Sequence, residues 1–292
     1  MRDDFCMFIL THGRPDRLWT YKLLKRTGYT GRLYIVIDDE DSSRERYLEL
    51  YGDQVLIFSK SEIAKRFDEA DNFSDRRTIF YARNACWDLA RQVGCRYFMQ
   101  LDDDYNGMGF RINAAGHYGY WPYRNLNRVL DALIAFYERT PALTLAMSQG
   151  GDHIGGPLSY FGLENRTKRK AMNSFLCSVD RPFAFRGRIN EDVSSYCLGG
   201  RRGEVFLTVG RTWLGQLTTQ MQAGGMSEIY RDQGTYVKSM YSIMHCPSSV
   251  TIKPMGPASP RIHHRIKWNS TAVKIVREQY RKPDRAASGL AT

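Results

Sequence analysis

The stretch RYFMQLDDDY, residues 96–105, decides the fold, because a short apolar run in it stops at three consecutive carboxylates. The run suits a buried β-strand, and ligands of open α/β sheets gather beyond the carboxyl ends of the strands. Residues two apart in extended chain share a face, so Asp102 and Asp104 are predicted to point together and Asp103 away. The pattern predicts a divalent metal that carries a diphosphate, with an acidic solvated turn as the alternative. Mg²⁺ or Mn²⁺ would fit, because both prefer carboxylate and phosphate oxygens.

Upstream of this stretch, apolar runs alternate with helical patterns. Strands are predicted at 5–10, 33–37 and 55–58, and helices at 16–26, 59–67 and 76–93. Ser59 and Glu62 have the spacing of a capping box for the second of these helices. Repeated strand and helix units of this length predict a parallel sheet with crossover helices. The first hundred residues thus resemble a nucleotide-binding α/β half.

The pattern downstream is less regular. A helix at 126–137 and a strand at 143–147 are predicted, and the segments around Phe183, Val193 and 205–209 resemble a mixed sheet. We predict one α/β domain over 1–282, with a parallel nucleotide-binding half at 1–110 and a mixed-sheet acceptor half at 111–282. Residues 283–292 are predicted to be a disordered tail.

The composition is that of an ordinary globular protein, with 42% hydrophobic and 25% charged residues among 292. No apolar run approaches the roughly 20 residues that span a bilayer, and the first apolar run is too short for a signal peptide, so a cytoplasmic protein is predicted. The six cysteines are scattered and are interpreted as reduced core residues. The formal charge of +11 favours a polyanionic partner, with a solubilising surface as the alternative.

The loop Thr11-His12-Gly13-Arg14 follows the first strand, where backbone N–H groups and a cation can meet a nucleotide. It lacks the G-x-G-x-x-G and Walker patterns, which argues against a dinucleotide oxidoreductase or a P-loop ATPase. Asp38 or Asp39, at the end of the second strand, could accept hydrogen bonds from a ribose or a base, with a surface turn as the alternative.

Arg83 lies on or near the apolar stripe of the helix that leads into the acidic stretch. It could form a buried structural ion pair, or it could bind the diphosphate beside the acidic site. Arg77, at the start of the same helix, could serve in the same way.

Three later segments could add chemistry to the site. Glu191 and Asp192 form a second acidic cluster, in which a carboxylate could deprotonate an acceptor hydroxyl; Asp192 is preferred. His263, or its neighbour His264, could complete a metal shell, and Lys267 could hold the leaving diphosphate. An unliganded histidine pair is the alternative.

Cations interleaved with aromatic residues are typical of nucleic-acid binding. The basic run at 166–170 and Arg201-Arg202 accompany a set of aromatics that could stack on bases or could equally lie in the core: Trp121, Tyr123, Trp213, Tyr230, Tyr236 and Tyr241.

The order of motifs resembles that of the TET-associated glycosyltransferases of bacteriophages, most clearly in the first hundred residues. The resemblance rests on FILTHGRP at 8–15, YIVIDDED at 34–41, DNF at 71–73, ARNAC at 82–86 and QLDDDY at 100–105. It implies a GT-A fold and sugar transfer from a nucleotide sugar, expected to be a UDP-sugar, to 5-hydroxymethylcytosine in double-stranded phage DNA. The host cytoplasm would be the location, and no obligate protein partner is evident.

The resemblance also implies roles for residues. The loop 11–14 and Asp38 would bind the nucleotide, Asp102 and Asp104 would hold the metal, and Arg83 would meet the phosphates. Glu191 and Asp192 resemble the motif that supplies the base in inverting GT-A enzymes, and His263 resembles a late histidine ligand.

Three other functions remain open from the residues alone. A metal-dependent nuclease would use the same acids and cut DNA without a sugar donor. A sugar nucleotidyltransferase would need a nucleoside triphosphate and a sugar phosphate. A non-catalytic DNA-binding module would keep its binding after Asp104→Ala.

Overall fold

The computed structural model of the chain describes residues 1–71, 76–159, 171–217, 236–255 and 261–280. Several predicted features lie outside these ranges. They are Asn72 and Phe73 of one motif, the basic run at 166–170, Tyr230, and the tail at 283–292.

Within the described ranges, nine strands form one sheet in the order β3-β2-β1-β4-β8-β7-β9-β5-β6. Their bounds are β1 Phe5–Leu10, β2 Arg32–Asp38, β3 Val55–Phe58, β4 Tyr97–Asp102, β5 Tyr105–Ile112, β6 Tyr118–Pro122, β7 Ala142–Gln149, β8 Ser174–Ser178 and β9 Val205–Gln216. A separate antiparallel pair consists of β10 Val250–Met255 and β11 Arg261–Ile266.

The strands β1 to β4 pair in parallel, as the sequence predicts. The second half extends the same sheet: β8 runs antiparallel to β4 and β7, β9 runs parallel to β7, and β5 and β6 complete the edge in antiparallel pairs. The predicted α/β fold, with a parallel half followed by a mixed half, is confirmed. Because β1 and β4 are neighbours, the loops after them meet at one edge of the sheet.

Eight α-helices are described in these ranges. They are α1 Trp19–Arg26, α2 Arg44–Tyr51, α3 Lys60–Ala64, α4 Phe80–Gln92, α5 Leu126–Glu138, α6 Glu191–Arg201, α7 Val237–His245 and α8 Trp268–Thr271. None of the described helices is long and apolar enough to cross a membrane.

Side chains alternate between two cores, one on each face of the sheet. Phe8 and Phe98 point to the core that α4 and α6 cover, which we call the α4 face. Met7 and Met99 point to the core that α5 covers, which we call the α5 face. All six cysteines are buried and none of them forms a disulfide, in agreement with the sequence prediction.

Two local predictions are wrong. The capping box at Ser59 does not form: the Ser59 hydroxyl makes no capping hydrogen bond and lies 3.2 Å from Ser61 Oγ. Asp39 Oδ1 instead accepts the hydrogen bond of the Lys60 backbone N–H at 2.9 Å, and α3 ends at Ala64. The sheet predicted around Phe183 and Val193 does not form: Phe183 lies in irregular chain between β8 and α6, and Val193 lies in helix α6. The N-cap residue of α6, Asn190, has a positive φ of 61°.

Candidate active site

Asp103 of the acidic stretch points towards the loop that follows β1. Its carboxylate accepts hydrogen bonds from Thr11 Oγ1 at 2.7 Å and from Arg14 Nη1 at 3.2 Å. Burial raises the pKa of Asp103, and the Arg14 charge and the Thr11 hydroxyl oppose that rise. Asp103 therefore ties the first-strand loop to the acidic turn.

Asp102 points to the opposite side and forms an ion pair with Arg83. Arg83 Nη2 donates to Asp102 Oδ1 at 2.8 Å, and Arg83 Nε donates to Glu191 Oε1 at 2.8 Å. The guanidinium is 2% exposed and lies 4.8 Å from the ring centre of Phe175. Arg83 thus links the end of β4 to the start of α6. Both of these nitrogens, Nη2 and Nε, donate to carboxylates of the protein itself. The structural ion pair that the sequence allowed is present.

Asp104 has weaker compensation for its charge. Its two carboxylate oxygens accept hydrogen bonds from the neutral amide of Gln216, each at 3.1 Å. Burial, together with the Asp102 charge, raises the pKa of Asp104 to about 7. A bound cation would stabilise the ionised form of this carboxylate.

The start of α6 adds further negative charge beside Asp102. Burial raises the pKa of both Asp102 and Glu191, the Arg83 charge opposes the rise, and the negative charge of Asp192 adds to it in both cases. Asp192 is half-buried, and its Oδ1 accepts a hydrogen bond from the Val193 backbone N–H at 2.7 Å. The acids in this region outnumber the cations that neutralise them.

The carboxylate oxygens of Asp102 and Asp104 are ligand atoms that suit a hard divalent cation. In the described part of the chain, no three His, Cys, Asp or Glu side chains form a ready metal cage. Mg²⁺ and ions like it often bind through one or two carboxylates together with substrate phosphates. Asp102 and Asp104 provide such carboxylates, because the Asp102 side chain remains 16% exposed and Asp104 is only half-buried.

The late histidines lie on β11, beside the start of α6. His264 Nδ1 is 3.4 Å from the side-chain nitrogen of Asn190, the residue before Glu191. The ring of His263 lies 4.2 Å from that of His264, centre to centre. The structure therefore places His264 against α6, and the metal-ligand role of His263 stays a prediction.

The first-strand loop is held by Asp41 and by Tyr47 of α2, a helix that the sequence pattern does not predict. Gly13 has a φ of +68°, and its N–H donates to Asp41 Oδ2 at 2.8 Å. The Arg14 backbone N–H donates to the hydroxyl of Tyr47 at 2.8 Å, and the same hydroxyl lies 3.0 Å from Thr11 Oγ1. A cleft of about 430 Å³ opens beside the loop, lined by Gly13, Arg14, Pro15, Asp16, Arg17, Ser43 and Arg46. Tyr47 is a site residue that only long-range structure reveals.

The two aspartates after β2 differ in their surroundings. Asp38 is buried and binds His12 Nδ1 at 2.8 Å and Lys60 Nζ at 2.9 Å. Burial would raise the pKa of Asp38, but these two partners outweigh it and lower the pKa, while Asp38 raises the pKa of His12. Asp39 is exposed and caps α3. Lys60 was not a candidate in the sequence because it looks like an ordinary surface lysine.

The remaining candidate cations, Arg77 and Lys267, are exposed. Arg77 lies just before α4, and Lys267 lies just before α8. Their roles towards a diphosphate stay predictions.

A second buried ion pair fixes the segment that leads into α6. Arg188 Nε donates to Asp71 Oδ2 at 3.0 Å, and Tyr241 of α7 contacts both side chains. The backbone N–H groups of Gly187 and Arg188 also donate to carbonyls at positions 68 and 69. The position of Glu191 and Asp192 is therefore determined from two sides, by this pair and by Arg83.

Matches among solved structures include three proteins at low identity. Glucosyl-3-phosphoglycerate synthase from Mycobacterium tuberculosis, in complex with Mn²⁺, UDP and phosphoglyceric acid, has a TM-score of 0.46 at 9% identity, over 90% of this chain and 87% of that chain. A mycobacterial protein has a TM-score of 0.42 at 10% identity, over 90% and 84%. Residues 1–349 of S. aureus TarS have a TM-score of 0.40 at 10% identity, over 82% and 65%.

Comparison of sequences gives a more specific result. No curated protein matches the chain. Residues 5–225 match the sequence profile of a protein family described as TET-Associated Glycosyltransferase. The match covers β1 to β9 and therefore every acid of the candidate site.

Proposed function

The chain belongs to the TET-associated glycosyltransferases, and from this we propose that it transfers a sugar from a nucleotide sugar to the hydroxymethyl group of 5-hydroxymethylcytosine in double-stranded DNA. The donor would be a UDP-sugar and the reaction would depend on Mn²⁺ or Mg²⁺. Phage DNA in the cytoplasm of an infected bacterium would supply the acceptor. Membership of this family favours glycosyl transfer over the nuclease, nucleotidyltransferase and binding-module alternatives.

The observation that carries the proposal is the excess of carboxylates at the carboxyl end of β4. Asp102 and Asp104 would hold the cation, which, when bound, neutralises charge on the leaving nucleoside diphosphate. The first-strand loop, which Asp103 ties to these acids, lies where backbone N–H groups and Arg14 can meet the nucleotide. The donor would then lie between the loop and the acidic turn.

Arg83 and the pair Glu191-Asp192 have different tasks in this proposal. Arg83 neutralises the buried carboxylate of Glu191 and positions Asp102. Asp192, which is more exposed than Glu191, would accept the proton of the acceptor hydroxyl in an inverting reaction. A duplex base must leave the stack before its hydroxymethyl group can reach this carboxylate.

The test is incubation of the protein with a panel of nucleotide sugars, Mn²⁺ and duplex DNA that contains either cytosine or 5-hydroxymethylcytosine. We expect mass analysis of the digested nucleosides to find one hexose on the hydroxymethylated base alone, and none after addition of EDTA. Sugar on plain cytosine, or no sugar on DNA with any donor, would contradict the proposal.

Substitutions at the start of α6 distinguish the two candidate bases. We expect Asp192→Asn to lower kcat by about 100-fold or more, the range for loss of a general base, with an unchanged KM for the donor. Glu191→Gln should lower kcat less than tenfold, because its amide oxygen can still accept the Arg83 hydrogen bond. Thermal unfolding of both variants serves as the control for folding. The reverse order of effects would assign the base to Glu191.

A further inference from the structure

Two aromatic rings approach glycine backbone closely on the part of the sheet formed by β9, β5 and β6. A Cβ atom added at Gly107 would lie 2.9 Å from a ring carbon of Trp213, and one added at Gly109 would lie 2.9 Å from a ring carbon of Tyr120. The two rings meet edge to face, with centres 4.9 Å apart. Tyr120 is nevertheless 44% exposed. Glycine at these positions is what lets both rings approach the strands.

These rings lie on the same face of the sheet as Arg83, which binds Asp102 and Glu191. Met108 and Leu214, the neighbours of these positions in the strands, point into the core on the α5 face. Because side chains alternate along a strand, Trp213 and the rings over Gly107 and Gly109 lie on the α4 face, where Arg83 also lies. Gln216, which contacts Asp104, lies three residues beyond Trp213 in β9 and by the same alternation points to the α5 face. The two positions are roughly 10 Å apart along the strand at 3.3 Å per residue.

Arg111 completes this surface and carries a hydrogen-bond donor that has no acceptor among the described residues. The guanidinium carbon of Arg111 lies 5.8 Å from the ring centre of Trp213. Arg111 Nε is buried and has no hydrogen-bond partner within the described residues. The sequence holds neither Asp nor Glu between 105 and 130 or between 205 and 217, so these strands carry only positive charge. A buried donor without a partner is costly, and an anionic oxygen would satisfy it.

We propose that the surface formed by Tyr120, Trp213 and Arg111 binds the acceptor nucleic acid, and this inference rests on the proposed transfer to DNA. A base released from the duplex would stack on the aromatic rings, and Arg111 would contact a backbone phosphate. Stacking on an aromatic ring tolerates any base, and a cation gains affinity by releasing counterions from the phosphates. This surface lies on the α4 face, as Arg83 and the start of α6 do, so a base stacked there would lie on the side of the sheet that carries Asp192.

The main test compares Tyr120→Ala with Phe110→Ala. Phe110 is 37% exposed on the same hairpin, but it packs against Tyr123 on the α5 face. We expect Tyr120→Ala to raise both the KM for hydroxymethylated duplex and its Kd, measured by fluorescence anisotropy, about tenfold, as expected for loss of base stacking. Phe110→Ala and Tyr120→Phe should bind DNA as the parent does. The KM for the nucleotide sugar should not change in any of the three.

Arg111→Gln tests the phosphate contact. The slope of log affinity against log salt should fall by about one in this variant, as for the loss of one phosphate contact. Arg128→Gln, which removes an exposed arginine from α5, should leave the slope unchanged.

The outcomes separate this inference from the proposed function. If the parent transfers sugar to DNA while Tyr120→Ala and Phe110→Ala behave alike, the binding surface is wrong and the function stands. If the parent binds duplex in a manner that depends on Tyr120 but transfers no sugar to it, the surface stands and the acceptor assignment is wrong. If the parent does not bind DNA, both are wrong.

Discussion

Asp104→Asn is expected to abolish sugar transfer while leaving the fold intact. The substitution keeps the size of the side chain and removes the charge that would hold the cation. Transfer should fall about a thousandfold, because neutralisation of a leaving diphosphate by a metal is worth several kcal/mol. Thermal stability without metal should stay equal to that of the parent or rise, since a neutral amide costs less to bury than a carboxylate. The rate measurement is single-turnover transfer at saturating donor.

Ligand-dependent stability provides a readout that does not depend on turnover. For the parent, Mn²⁺ and UDP added together should raise the unfolding temperature, because a ligand that binds only the folded state stabilises it. Asp104→Asn should lose that increase. Asp53→Asn changes an exposed aspartate between α2 and β3. It should keep both the transfer activity and the increase in unfolding temperature. A transfer rate for Asp104→Asn within tenfold of the parent would contradict the assignment of the metal site.

The sequence predicts well those parts of the fold that short patterns determine. The strands β1 to β4 are continuous apolar runs that end at polar turns, and such runs predict buried parallel strands without knowledge of their partners. The acidic stretch at 102–104 lies at the end of the last of these strands. Its place beyond the carboxyl ends of the parallel strands therefore follows from the pattern.

The contacts of each acid could not be predicted, because they depend on residues far apart in the chain. Gln216 contacts Asp104 across 112 positions, and Arg83 contacts Glu191 across 108. The extended-chain rule correctly separates Asp103 from its neighbours. It does not predict that Asp102 forms an ion pair with an arginine, whereas Asp104 accepts hydrogen bonds from a neutral side-chain amide. The start of α6 was also missed, because it has a left-handed N-cap in place of a side-chain cap.

Arg83→Met is expected to cause the largest loss of stability of any single change at the site. Removing the guanidinium takes away the cation that Asp102 and Glu191 share, where burial already raises the pKa of both carboxylates. Breaking a buried ion pair by removing one partner costs about 3–5 kcal/mol of unfolding free energy. Urea unfolding should show that loss. Arg91→Met, which removes a 50% exposed arginine from the same helix, should cost about 0–1 kcal/mol.

A double-mutant cycle tests whether the loss comes from the stranded charges or from lost packing. Glu191→Gln in the Arg83→Met background removes one of the two unpaired carboxylates, so it should restore part of the stability, whereas Glu191→Gln alone should be neutral or mildly destabilising. The coupling free energy should exceed about 1 kcal/mol, the size expected for residues in direct contact. Additive effects would mean that Arg83 stabilises the fold through its contacts with the rings of Phe175 and Phe185, whose centres lie 4.8 and 5.8 Å from the guanidinium carbon, and not through charge. A charge-based result would explain why a fully buried arginine lies beside the proposed metal site: it would offset the acids there after the cation and the diphosphate have left.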